Sequence, residues 1–486
     1  MFHASIAPLL QPFCHWQDGA WRATTGPSFP VTNPADGSLL ATVADQGGPE
    51  AEAAIARAHA ALPAWQAKSA KERAALLRRW FELILEHQDA LALLMTLEQG
   101  KPLAEARGEV AYGASYVEWF AEETKRLYGD IIPAASGDRR ILTLKQGIGV
   151  VAAITPWNFP NAMITRKVAP ALGAGCCIVV KPSDETPLSA LALVTLARQA
   201  GIPDDVFQMV TGQNAAAIGD VFCSDGRVRK LTFTGSTPVG KRLMAQSANT
   251  VKKMALELGG NAPFIIFDDA DLDLAIKGLM LAKFRNAGQT CICANRILVQ
   301  SGVYETVVER LVAAVAGLTV AAGTEAGATI GPLINGKAVA KVETLVADAL
   351  AKGATLLAGG ERHSAGELFF QPTVLANIQR EMAIFDHEIF GPVAAVMRFD
   401  SEAEAIALAN DTPFGLAAYF YSQNMSRIWR VAERLEYGMV GINEGGISSE
   451  VAPFGGVKES GVGREGSKYG LEEFTEIKYL CLGGLG

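Results

Sequence analysis

Long hydrophobic runs are missing from this sequence. Its longest uncharged apolar stretch, Leu311 to Gly323, is shorter than the ~20 residues a bilayer crossing takes, so it reads as part of a buried helix and no membrane partner is expected. Basic residues do not outnumber acidic ones: 43 Lys and Arg stand against 51 Asp and Glu, a net charge of −8, which excludes a general nucleic-acid backbone binder. The start, MFHASIAPLLQPFCHW, lacks a basic segment ahead of an apolar block and an Arg- and Ser-rich pattern. Neither a signal nor a transit peptide is expected, and the cytoplasm is the default. The seven cysteines are odd in number and irregularly spaced, unlike a disulfide scaffold. Their only close pairs, Cys176-Cys177 and Cys291-Ile292-Cys293, have no histidine at ligand spacing, so no metal is expected.

What is present is a long chain, 486 residues, enough for about three domains. From Pro49 to Gly100 apolar residues recur at three and four, predicting helices over PEAEAAIARAHAALPAW and KERAALLRRWFELILEHQDALALLMTLEQG. Between Gly149 and Asp271 short apolar runs (GVVAAITPW, CCIVVKPS, FQMVTG, RKLTFTGS, PFIIFDDAD) alternate with helical segments. Near-continuous apolar strands separated by helices imply a doubly wound, Rossmann-like parallel sheet, with ligands beyond the carboxyl ends of its strands. A second alternation after Cys291, with strands near NRILVQ, TLLAGG, AAVMRF and LAAYFYS, implies a second α/β lobe, the boundary falling near Leu256.

The residues at the strand ends carry the chemistry. The first lobe has no G-x-G-x-x-G, but in FTGSTPVG Gly235 ends a strand and Ser236 to Gly240 open a helix, whose N-terminus suits a pyrophosphate; a ligand-free turn has the same signature. Lys181 and Ser183 in IVVKPSDET end an apolar strand, where a lysine reaches ribose or phosphate, or simply solvent. Cys291 follows Gly-Gln-Thr in a polar loop, with Arg285 and Arg296 near in sequence to favour a thiolate, whereas Cys176 and Cys177 read as core. Glu257 in LELGGN is a candidate general base, or a surface carboxylate. The Asn158 amide in TPWNFP is a neutral donor for an oxyanion.

Taken in order, TPWNFP, KPSDETP, FTGSTPVG, LELGGN, FRNAGQTCICANR, EIFGPV and PFGGVKESGVGREGSKYG resemble the aldehyde dehydrogenase superfamily over nearly the whole chain. Within it, ITRKVAPAL, NAPFIIFDDADLD, GMVGINEGGISSEVAPFGG and GREGSKYGLEEFTEIKYLC look most like the succinate- and glutarate-semialdehyde dehydrogenases. The resemblance implies Cys291 as nucleophile, Glu257 as base, and an oxyanion hole of Asn158 and the Cys291 N–H. It implies a nicotinamide cofactor held by Thr155, Pro156, Trp157, Lys181, Ser183, Asp184, Gly235, Ser236, Glu388 and Phe390. Arg166, Arg285 and Ser448 match residues that hold a distal carboxylate, so a small carboxylate-bearing aldehyde is the expected partner; structural ion pairs are the alternative for both arginines. Asp184 replaces the small hydroxyl residue of NADP-preferring relatives and would repel a 2′-phosphate, so NAD is the expected cofactor, with NADP second.

The resemblance further implies three units: residues 1–126 and 146–256 binding the cofactor, 257–469 carrying catalysis, and a small β element of 127–145 and 470–486 serving a homodimer or homotetramer. Gly446 stands where a bulkier residue is usual, which would loosen the substrate pocket, and Cys293 is a candidate redox partner of Cys291. Retention of Cys291, Glu257 and Asn158 argues against a non-catalytic member, and Glu257 argues against transfer of the acyl group to CoA.

Overall fold

The apolar runs pair as parallel strands. In the computed structural model, which describes residues 2–11, 13–17, 20–23 and 26–485, one sheet has the order Gly461–Val462, Lys253–Glu257, Val228–Thr234, Val150–Ile154, Cys177–Lys181, Phe207–Met209. Only the short Gly461–Val462 edge runs against the others, which are mutually parallel. Strand order reverses between Val150–Ile154 and Val228–Thr234, which opens a crevice at their carboxyl ends. Residues 1, 12, 18, 19, 24, 25 and 486 of the expected units lie outside the described residues.

A second sheet has the order Thr355–Ala358, Thr373–Ala376, Val393–Phe399, Ala294–Gln300, Ala262–Ile266, Ala417–Tyr421, Met439–Ile442, parallel except at the Thr355–Ala358 edge. Each sheet has its own buried apolar core. A third, antiparallel sheet joins Thr475–Leu482 to Arg140–Gly147 and Ile131–Ile132, and its apolar side chains Ile131, Ile477 and Tyr479 are exposed. No helix among the described residues is long and apolar enough to cross a membrane.

Three sequence expectations change. The run PFIIFDDAD, read in series with the first lobe, forms Ala262–Ile266 of the second sheet, and Lys253–Glu257 completes the first. An apolar run shows that a strand is buried on both faces but not which sheet it joins. The long second helix breaks at His87 into Ala70–Glu86 and Gln88–Gln99, because His87 takes φ −106°, ψ 16°. Leu311 to Gly323 is helical only to Ala316, where Gly317 caps the helix.

Helix Ala162–Ala174 carries Arg166 and Lys167. All of it is buried, packed between the first sheet and helix Leu103–Glu123. Its amino end is capped by Glu109, whose Oε1 accepts from the N–H groups of Asn161 (2.9 Å) and Ala162 (3.3 Å). A carboxylate there answers the positive end of the helix dipole, and Lys101, ion-paired with Glu109, balances its buried charge.

Candidate active site

The crevice opens into a cavity of about 370 Å³ lined by Pro156, Trp157, Asn158, Gly235, Ser236, Cys291, Glu388 and Phe390 together with Lys337 and Lys341. Ser236 is the N-cap of helix Thr237–Ser247, yet its side chain makes no capping hydrogen bond, so the first turn keeps donors for an anion. A β-carbon on residue 259 would stand 3.2 Å from Glu388 Oε2 and 3.4 Å from Thr237 Oγ1, so glycine keeps that space clear. Trp157 and Phe390 meet edge to face at 5.6 Å. Anion donors, a carboxylate for hydroxyls and paired aromatic faces fit a dinucleotide. Burial pushes the Glu388 carboxyl up to about 7, opposed by the Gly260 N–H that it accepts at 3.1 Å.

Thr155, Lys181, Ser183 and Asp184 do not line this cavity. They sit on the neighbouring strand ends, where the Thr155 N–H donates to the Lys181 carbonyl at 3.1 Å and Ser183 Oγ accepts from the Glu185 N–H at 3.2 Å.

Cys291 also lines a second, narrow cavity with Tyr112, Arg166, Arg285, Ser448 and Phe454. The loop that delivers it is bent by Asn286, Ala287 and Gly288, all at positive φ (52°, 53° and 75°). Two of these are not glycine, and the surroundings hold them in place. The Asn286 N–H donates to Glu105 Oε2 (2.8 Å), its Nδ2 donates to the Asn158 carbonyl (3.0 Å), and the Ile334 N–H donates to Gln289 Oε1 (3.0 Å). Burial pushes the Cys291 thiol up to about 12; Arg166 opposes this, while Glu388 and Glu257 add to it.

Glu257 ends strand Lys253–Glu257 with Oε2 buried and unpartnered. Burial and then Glu465 raise its carboxyl well above the usual range, against Arg166 and Lys167. Burial works against ionisation of Glu465 too, but Arg166 and Lys167 are ion-paired to it and hold it low. Arg166 is thus shared: it pairs with Glu465 while its Nη2 has no hydrogen-bond partner. Arg285 stacks over the Phe159 ring at 4.6 Å. Asn158 Nδ2 donates to the Gln289 carbonyl at 3.1 Å. Cys293 is buried with Sγ donating to the Lys283 carbonyl at 3.4 Å, and burial raises its thiol.

Sequence reasoning passed over Lys101, Glu105, Glu109, Asn286 and Gln289, which hold the Asn158 and Cys291 segments, and Glu465, which sits inside GREGSKYG. Buried charged residues in helix-forming stretches were the available signal, and it is visible only once burial is known.

Comparison with known proteins fits this geometry. The model of the aldehyde dehydrogenase family matches residues 21–480. A glutarate-semialdehyde dehydrogenase of Pseudomonas aeruginosa is 60% identical over 96% of this chain and 97% of its own length. The NADP(+) succinate-semialdehyde dehydrogenase GabD of Escherichia coli is 59% identical over 96% of this chain and 97% of its own. The crystal structure of an E. coli NADP-dependent enzyme, 59% identical, superposes with a TM-score of 0.94 and covers 96% of each chain.

These names overturn the expected NAD preference. Asp184, on which that expectation rested, lies 3.9 Å from Lys181 Nζ with its side chain 43% exposed and off the cavity wall. Its charge is answered by the lysine and by water, so it does not bar a 2′-phosphate. Identity at this level over nearly the full length, with two cavities meeting at one cysteine, leads to one conclusion: the chain belongs to the aldehyde dehydrogenase family and is an aldehyde-oxidising enzyme.

Proposed function

We propose that the protein oxidises a small carboxylate-bearing aldehyde, succinic or glutaric semialdehyde, to the diacid with NADP. The observation that carries this reading is that Cys291 lines both the dinucleotide cavity and the cavity of Arg166, Arg285 and Ser448. A carboxylate at one end of the substrate meets the arginines while the aldehyde carbon reaches the sulfur.

Glu257 takes the thiol proton, and the Cys291 sulfur adds to the aldehyde carbon. The electron pair of the broken carbonyl π bond moves to oxygen, which accepts hydrogen bonds from the Asn158 amide and the Cys291 N–H. A nicotinamide held against Trp157, Glu388 and Phe390 would supply a positive charge near the thiol and an acceptor for the hydride that leaves the former aldehyde carbon as the oxyanion re-forms its C=O bond and the thioester results. Glu257 releases the thiol proton to solvent and, ionised again, deprotonates the water that attacks the thioester; the C–S bond breaks with its electron pair returning to sulfur, and the acid leaves. Arg166 Nη2, Arg285 and the Ser448 hydroxyl hold the distal carboxylate throughout. Residues 1–126 and 146–256 serve the cofactor and 257–469 the chemistry, with 127–145 and 470–486 as the self-association element of a cytoplasmic homo-oligomer.

The test is the initial rate of NADPH and NADH formation from succinic semialdehyde, glutaric semialdehyde and propanal. A faster NADP-linked rate with both semialdehydes, absent in Cys291→Ala, is expected. Equal rates with propanal would discard the carboxylate assignment, and a rate retained by Cys291→Ala would discard the nucleophile.

A further inference from the structure

The dinucleotide cavity has a wall supplied by the second lobe. Helix Gly336–Ala351 begins at its N-cap Asn335, and Ile334, Asn335, Lys337, Ala338 and Lys341 line the cavity from its first turns. Two helix amino ends therefore border one space, this one and that of Thr237–Ser247. Each favours an anion.

Lys337 is at odds with its own position. A cation in the first turn of a helix faces the positive end of the dipole, and this turn carries no acidic residue to offset it. Lys337 forms no ion pair among the described residues, and it is exposed on the cavity wall. Glu185 is close enough for the Lys337 charge to lower its carboxyl, but its Oε1 already accepts from Asn335 Nδ2 at 2.7 Å and it forms no ion pair with the lysine. Lys341, one turn on, is among the charges that oppose the rise of the Glu388 carboxyl. Two helix amino ends and an ammonium without an ion pair, bordering one cavity, favour a strongly negative group between them.

We infer that Lys337 is a coenzyme-binding residue whose ammonium holds the dinucleotide's diphosphate against the amino end of helix Thr237–Ser247. This rests on reading the cavity as the coenzyme site. It makes phosphate binding a joint act of both lobes, with one anion bridging a turn from each.

The experiment is a fluorescence titration of NADPH, with ADP and adenosine as competitors, on the wild type, Lys337→Gln and Lys337→Arg. Lys337→Gln is expected to weaken ADP about tenfold, the worth of one charge-assisted contact, while adenosine is unchanged. Lys337→Arg should stay within about threefold of the wild type, since it keeps the charge. Wild-type ADP affinity in Lys337→Gln, or an equal loss for adenosine, overturns the inference and leaves the coenzyme site intact. A wild type that binds neither NADPH nor ADP overturns the reading of the cavity and the inference with it.

Discussion

The carbonyl oxygen of Cys291 lies 2.3 Å from where a β-carbon on residue 260 would stand, so Gly260 is the surface against which the nucleophile rests. Gly260→Ala must push the Cys291 segment aside. A misplacement of this kind costs about a hundredfold in rate, and kcat should fall by that order while NADPH still binds. Wild-type kcat in this variant would show that the loop tolerates the shift.

Buried carboxyls set the acid side of the pH profile. The raised Glu257 carboxyl must lose its proton to act as base, so kcat should climb as pH rises through a value well above the ordinary carboxylate range. In Glu465→Gln the repelling charge is gone while Arg166 and Lys167 remain, so that limb should move to lower pH. A limb unmoved in Glu465→Gln would show that Glu465 does not govern the base.

Arg285 is the arginine of the clamp without an ion-pair partner among the described residues. Arg285→Gln should cut kcat/KM for succinic semialdehyde by about a hundredfold, the worth of a charged contact, and leave propanal unchanged. Equal losses on both aldehydes would mean that Arg285 shapes the loop and does not grip the substrate.

Gly446 is expected to set the length of aldehyde accepted. A β-carbon there would stand 3.1 Å from Leu281 Cδ2, and Leu281 lines a wider chamber of about 450 Å³ that shares Tyr112, Arg285 and Ser448 with the inner cavity. Comparable kcat/KM for four- and six-carbon semialdehydes is expected, with Gly446→Leu losing the six-carbon substrate first. A steep fall with length in the wild type would show that the chambers do not communicate.

Stability should hinge on Lys101 and Glu109. Both side chains are about 1% exposed, and Lys101 Nζ also donates to the Asn158 carbonyl at 2.8 Å. Lys101→Met leaves a buried carboxylate unpaired, at a cost of about 3 to 5 kcal/mol, and denaturant titration should show the midpoint fall accordingly. An unchanged midpoint would mean that Glu109 finds other partners.

The sequence makes the strand ends legible because apolar runs and the polar residues that stop them share a short stretch of chain. Asn158 and Gly235 are found that way, and Cys291 by the polar loop that carries it. The partition of strands between sheets is not legible, since nothing in the short runs Lys253–Glu257 and Ala262–Ile266 says which neighbours each will pair with. Nor is the support beneath the site: Lys101, Glu105 and Glu109 lie far along the chain from Asn158 and Asn286, and a charged side chain in or beside a helix reads as solvated until the fold buries it. Asp184 misled for the same reason, its motif being plain and its orientation hidden.

The double exposure of Cys291 has a last consequence, for divergence. Arg285 and Ser448 border the chambers proposed for the aldehyde and not the cavity proposed for the coenzyme, which Gly235, Ser236 and Lys337 border in turn. Mutation can retune the first set toward another acid-bearing aldehyde without disturbing the second, so new substrates can be acquired in small steps on a machine that keeps turning over.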